Sequence, residues 1–147
     1  MRRFRFKLQA VLQQREAAER NRLLALAGFQ QEMRACEERI EAIVCERARV
    51  LADWPRNVDL QDYALREAYL DGLDAKAQRE TELRETIADR LERARDALVE
   101  ARRARESITR LKEHAYEQYV AEARREEQAT LDDLAVLRHR RSHATIA

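Results

Sequence analysis

His139 and His143 stand four residues apart, a spacing that sets two imidazoles on one helix face and can hold a metal ion. No acid follows Asp133 to complete such a site, and both histidines fall where a last helical turn frays, so no metal is expected. Cys36 and Cys45 are nine residues apart, which at about 100° per residue places them on opposite helix faces. They cannot pair within one helix, and a chain with no disulfide framework belongs in a reducing cytoplasm. Serine occurs only at Ser107 and Ser142, and neither forms a nucleophile elbow. His114 stands alone in a helical stretch, solvated or packed. Neither a glycine-rich phosphate loop nor a paired-cysteine metal motif occurs. The many carboxylates lie on solvated faces, where surface ion pairing accounts for them. These residues predict no enzyme and no cofactor.

The elements that would carry any binding site are long helices. The 147 residues hold only two glycines, Gly28 and Gly72, and one proline, Pro55, too few breakers for a sheet or a many-looped bundle. Charged residues make up 39%, hydrophobic residues 45% and aromatics 5%, which suits a narrow helix-on-helix seam and not a thick core. A net charge of +1, from 29 basic and 28 acidic side chains, excludes binding a polyanion by bulk charge. The longest apolar run, Leu23 to Phe29, is too short to span a bilayer. The opening Met1-Arg2-Arg3-Phe4-Arg5-Phe6-Lys7 is basic, but Lys7 and Gln9 interrupt any signal-like apolar stretch. The helix expected to start there continues in register, which argues against a removable segment.

Two heptad faces set the architecture. In the first half the positions 8, 12, 15, 19, 22, 26, 29, 33, 36, 40, 43, 47, 50 and 54 alternate by four and three. Apart from Arg15, Glu19, Arg22 and Arg47 they are apolar, from Leu8 and Leu12 through Phe29, Cys36 and Ile43 to Trp54. The second half repeats the pattern from Leu73 through Ile87, Leu91, Leu98 and Ile108 to Tyr119, with many alanines that permit close approach. Seams this long point to a coiled coil. Between them Trp54-Pro55-Arg56-Asn57-Val58-Asp59 holds the only break, with Asp59 as N-cap of a second helix and Asp62 in its first turn. The expected fold is all-α, a long two-helix antiparallel coiled-coil hairpin. It forms one domain over 1–147, with a first helix about 4–54, a turn about 55–59 and a longer C-terminal helix about 60–141.

The arms are unequal. A turn near residue 57 sets residue 4 beside residue 110 and leaves roughly 30 helical residues, about 45 Å, beyond the first helix. This overhang carries Val120, Ala123, Leu131, Leu134 and Leu137, which a lone helix leaves exposed to water: a partner protein is expected to cover them, the alternatives being a second copy of the chain or plain fraying. Arg2, Arg3, Arg5 and Lys7 at one terminus, and Arg138, Arg140 and Arg141 at the other, have no acid among them. In a hairpin they form one positive tip, with Phe4 and Phe6 adding apolar surface. Anionic lipid, nucleic acid or an acidic protein surface each answers such a tip.

The opening Phe4, Arg5, Phe6, Lys7, Leu8, Gln9, Val11 and Leu12, followed by Arg15 and Glu19, resembles that of the flagellar export protein FliJ family. Tyr69-Leu70 with Leu73, then Leu111-Lys112-Glu113-His114, Tyr119, Glu126-Glu127-Gln128 and Leu131-Asp132-Asp133, are similar to later parts of that family. The resemblance implies a non-enzymatic stalk of the flagellar type III export apparatus. Such a stalk is cytoplasmic, peripheral to the cytoplasmic face of the inner membrane at the flagellar base. It implies binding to the pore of the hexameric export ATPase through Arg3, Phe4, Arg5, Lys7, Leu8, Leu131, Leu134, Arg138, Arg140 and Arg141. It implies binding to the cytoplasmic domain of the export gate through Tyr69 and Leu73, with Tyr63 and Trp54 beside them, and binding to export chaperones. No nucleic-acid partner and no transmembrane segment are expected. Where some members carry Gln and Tyr before the turn, this chain has Arg39, Glu46 and Val50. Alternatives are a generic coiled-coil scaffold or tether, the stalk of a virulence type III secretion system, and a peripheral binder of anionic surfaces.

Overall fold

A helix needs its first N–H groups satisfied, and the chain meets that need at one helix start better than at the other. In the computed structural model, which describes residues 3–53 and 59–144 and side chains as far as His139, α1 spans Gln9–Ala52 and α2 spans Leu60–Ala144. Asp59 caps α2: its Oδ1 accepts from the Leu60 amide at 2.7 Å, its carbonyl takes the first helical bond from Tyr63 at 3.1 Å, and Asp62 follows in the first turn. The first turn of α1 has no acid. There the cations Arg3, Arg5 and Lys7 would sit at the positive end of the helix, which disfavours extending it backwards. The first helix therefore starts at Gln9, not near residue 4, and residues 3–6 run outside it. That segment obeys a period of two: Arg3 and Arg5 are exposed while Phe4 and Phe6 are half-buried. Trp54, expected to end the first helix, and Pro55, expected in the turn, lie outside the described residues.

The two helices pack against each other, and no strand occurs among the described residues, as the all-α hairpin reading expects. The chain resolves into two compact units. One unit comprises residues 18–101. Its core is Cys36, Leu70, Leu73, Ile87, Leu91 and Leu98. All of these except Leu70 belong to the expected heptad faces. Of the polar exceptions on the first face, Arg22 and Arg47 are exposed, as a solvated side chain should be. Burying one such leucine contributes about 1.5–3 kcal/mol, so the seam and not intrinsic propensity holds these segments helical. Cross-helix polar pairs fix the register: Arg39 to Glu80 at 3.0 Å, Arg47 to Asp74 at 2.8 Å and Tyr69 to Glu46 at 3.1 Å. From Arg39 to Arg47 the number rises on α1 while the partner on α2 falls from Glu80 to Asp74, the antiparallel sense.

The other unit comprises residues 1–17 with 102–147. Leu12 is its buried leucine, and Phe4 closes it by packing edge-on to Tyr116 at 5.3 Å and tilted to Tyr119 at 5.5 Å. The expectation that residue 4 lies beside residue 110 is corrected here. A non-helical residue advances about 3.3 Å against 1.5 Å in a helix, so residues 3–6 carry Phe4 further along α2. The overhang is correspondingly shorter: from residue 124 to His139 every described side chain is exposed.

Candidate functional site

The leucine stripe beyond the aromatic cluster is the first candidate. Leu131, Leu134 and Leu137 are 59%, 49% and 52% exposed. Arg138 is exposed too, and the side chains of Arg140 and Arg141 lie outside the described residues. At the N-terminal segment Arg3, Arg5 and Lys7 are exposed and Leu8 partly so, whereas Phe4 is committed to Tyr116 and Tyr119. The two basic clusters do not merge into the single positive tip expected from a hairpin. Arg138 stands nineteen residues beyond Tyr119, about 29 Å of helix. Glu122, Glu126, Glu127, Asp132 and Asp133 intervene.

The second candidate surface lies in the other unit, near the start of α2. Tyr69 is about half exposed, and its hydroxyl donates to Glu46 Oε1 while Arg49 donates to the same carboxylate at 3.0 Å. The bonds from Arg49 and then Tyr69 hold the Glu46 carboxyl below the usual carboxylate range. The bond to Glu46, helped by burial, pushes the Tyr69 phenol up. Tyr63 is exposed, with the Arg66 guanidinium 5.6 Å from its ring centre. Leu73 differs from the expectation: at 5% exposure it is a seam residue, because its heptad position faces α1. Trp54 lies outside the described residues.

Arg39 and Glu46, positions at which the chain departs from the resembled pattern, both bond across to α2. The departures are thus internally matched, Arg39 by Glu80 and Glu46 by Tyr69. Cys36 is fully buried, and its thiol donates to the Glu80 carbonyl at 3.3 Å. Burial, then the bond to Glu80, pushes that thiol up, which makes it a packing residue and not a nucleophile. Cys45 is exposed.

Sequence reasoning missed Tyr116, which with Phe4 and Tyr119 makes the aromatic cluster. Its signal was the i,i+3 spacing to Tyr119 in an aromatic-poor chain, legible only once the N-terminal segment is known to be extended. Among the described residues no cluster of three metal-ligating side chains occurs, and no helix is long and apolar enough to cross a membrane. The chain has surfaces that suit protein partners: one apolar stripe, and one aromatic-and-acid patch.

In a comparison with protein families, the family described as Flagellar FliJ protein matches residues 4–144. No curated protein and no solved structure matches the chain.

Proposed function

The chain belongs to the flagellar FliJ protein family, whose members are components of the flagellar export apparatus, and we propose that it acts there as a non-enzymatic stalk. In this reading the far part of α2 docks into the hexameric export ATPase and raises its turnover. The Tyr69 region meets the cytoplasmic domain of the export gate, and the helical faces between receive export chaperones. The protein works at the cytoplasmic face of the inner membrane without spanning it.

The observation that carries the reading is the exposed Leu131, Leu134 and Leu137 stripe. An isolated helix that shows three leucines to water has a use for them, since apolar patches of this kind mark interaction sites. Their place on a single helix suits a narrow ring pore better than a broad docking face. Arg3, Arg5, Lys7 and Arg138, all exposed, supply charge for steering toward an acidic pore mouth. Leu8 adds apolar contact, and Phe4 acts indirectly, by holding the N-terminal segment on α2. Arg140 and Arg141 add to the same charge by sequence. At the gate end Tyr69 is the anchor and Tyr63 flanks it, and Trp54 joins them by sequence alone. Leu73 supports Tyr69 from the seam.

The test is a titration of the full chain into the cognate export ATPase. A saturable rise in ATP turnover, with no turnover from the chain alone, is expected. Unchanged turnover and no complex on gel filtration would overturn the reading in favour of a generic tether.

A further inference from the structure

The overhang carries a second pattern in addition to its leucines. Glu127, Leu131, Leu134 and Arg138 are spaced four, three and four, so the order acid, Leu, Leu, base has the same spacing read from either end. At about 100° per residue these four side chains fall within a stripe about 60° wide on α2. All four are exposed, in the same unit. The stripe is also out of step with the α1-facing seam. Continued past Tyr119, that seam would pass through 122, 126, 129 and 133, which are Glu, Glu, Ala and Asp. The leucines are therefore not the tail of the hairpin's own interface.

We propose that the chain associates weakly with a second copy of itself, antiparallel, through Glu127, Leu131, Leu134 and Arg138. Under a two-fold axis between Leu131 and Leu134, each Leu131 meets the Leu134 of the second copy. Each Glu127 meets the second copy's Arg138, at both edges of the patch. Such an interface is isologous, and one stripe complements itself. A parallel pairing would set Glu127 against Glu127 and Arg138 against Arg138, so the charge order selects the antiparallel one. The patch is about three helical turns long, well below the roughly 1,000 Å² expected of a stable interface. The association is accordingly weak and concentration-dependent. Its consequence rests on the stalk reading: the dimer covers the leucines that would enter the ATPase ring, so pairing and docking exclude each other. Its geometry rests on the stripe alone.

Sedimentation equilibrium of the full chain, without ATPase, separates the two. Between about 5 and 500 µM, the span in which a weak interface associates, the wild type should move from monomer toward dimer. Glu127→Arg alone and Arg138→Glu alone each turn both edge pairs into repulsions and should raise the dissociation constant about tenfold or more. The double variant restores opposite charges only in the antiparallel arrangement, and should return to within about threefold of wild type. All these side chains are exposed, and unchanged helical circular dichroism verifies that the variants fold. A wild type that stays monomeric throughout, single variants that dimerise as before, or a double variant that stays monomeric would each overturn the proposal. None of these results bears on ATPase stimulation, so the stalk reading stands or falls separately.

Discussion

The Tyr69 hydroxyl donates a 3.1 Å hydrogen bond to Oε1 of Glu46, tying the early part of α2 to the late part of α1. The bond raises the Tyr69 phenol above its ordinary value, and Arg49 with Tyr69 lowers the Glu46 carboxyl below its own. A lowered Glu stabilises the fold above its unfolded value, about 4.3, and that contribution is lost as pH falls through the folded value. A raised Tyr stabilises below its unfolded value, about 10, and that contribution is lost as pH climbs through the folded value. The tie is therefore fully present between those limits. In an alkaline titration followed by phenolate absorbance, the Tyr69 phenol should ionise later than it does once Glu46 is removed. Glu46→Ala should therefore bring the Tyr69 ionisation to lower pH, and an unchanged titration curve would show that Glu46 is not the cause of the shift.

Tyr69 also presents half its surface to solvent beside an exposed Tyr63. Tyr69→Ala should weaken binding to the gate's cytoplasmic domain by about 1–2 kcal/mol, as removing an interface anchor does. Tyr69→Phe separates the ring from the tie to Glu46: if the ring is the anchor, it retains most of the affinity. Calorimetric titration of both variants reads the difference. Equal affinity of Tyr69→Ala and wild type would remove the gate site from this surface.

The two cysteines should differ in reactivity. Cys36 is buried against Glu80 with its thiol pushed up, while Cys45 is exposed. A thiol reagent added to the folded protein should label one equivalent quickly, at Cys45, and reach Cys36 only in denaturant. Rapid labelling of both would mean that the seam around Cys36 opens readily.

Exposed Arg3 and Arg5 should act at a distance. Reversing both to Glu should reduce stimulation of the export ATPase, and more so at low salt. Steering by exposed charges fades once the Debye length is down to about 8 Å at 0.15 M. Equal stimulation of wild type and variant at both salt levels would count against steering.

Much of this fold was legible because a coiled coil writes its seam into every third or fourth residue. Leu12, Cys36, Leu73, Ile87, Leu91 and Leu98 are all buried where the heptads put them. The start of α1 was not legible from that repeat, since Leu8 and Leu12 fit a heptad whether or not a helix precedes them. The repulsion of Arg3, Arg5 and Lys7 by a helix N-terminus favours the later start. With α1 starting at Gln9, Phe4 packs on Tyr116 and Tyr119 and not beside residue 110. Leu73 shows the limit at the surface around Tyr69. Resemblance assigns it to binding and periodicity assigns it to the seam, and only its burial tells which applies in the free chain.

The central claim is that the exposed leucines of the overhang are the face that engages the export ATPase. Its most direct measurement is ATP turnover by the hexameric ATPase titrated with wild type and with Leu131→Asp/Leu134→Asp. Both leucines are about half exposed or more, so the variant should keep its helical circular dichroism. Two buried charges in place of two leucine contacts should raise the half-saturating concentration at least about tenfold. A variant that stimulates the ATPase at the same concentration and to the same extent as wild type would contradict the account.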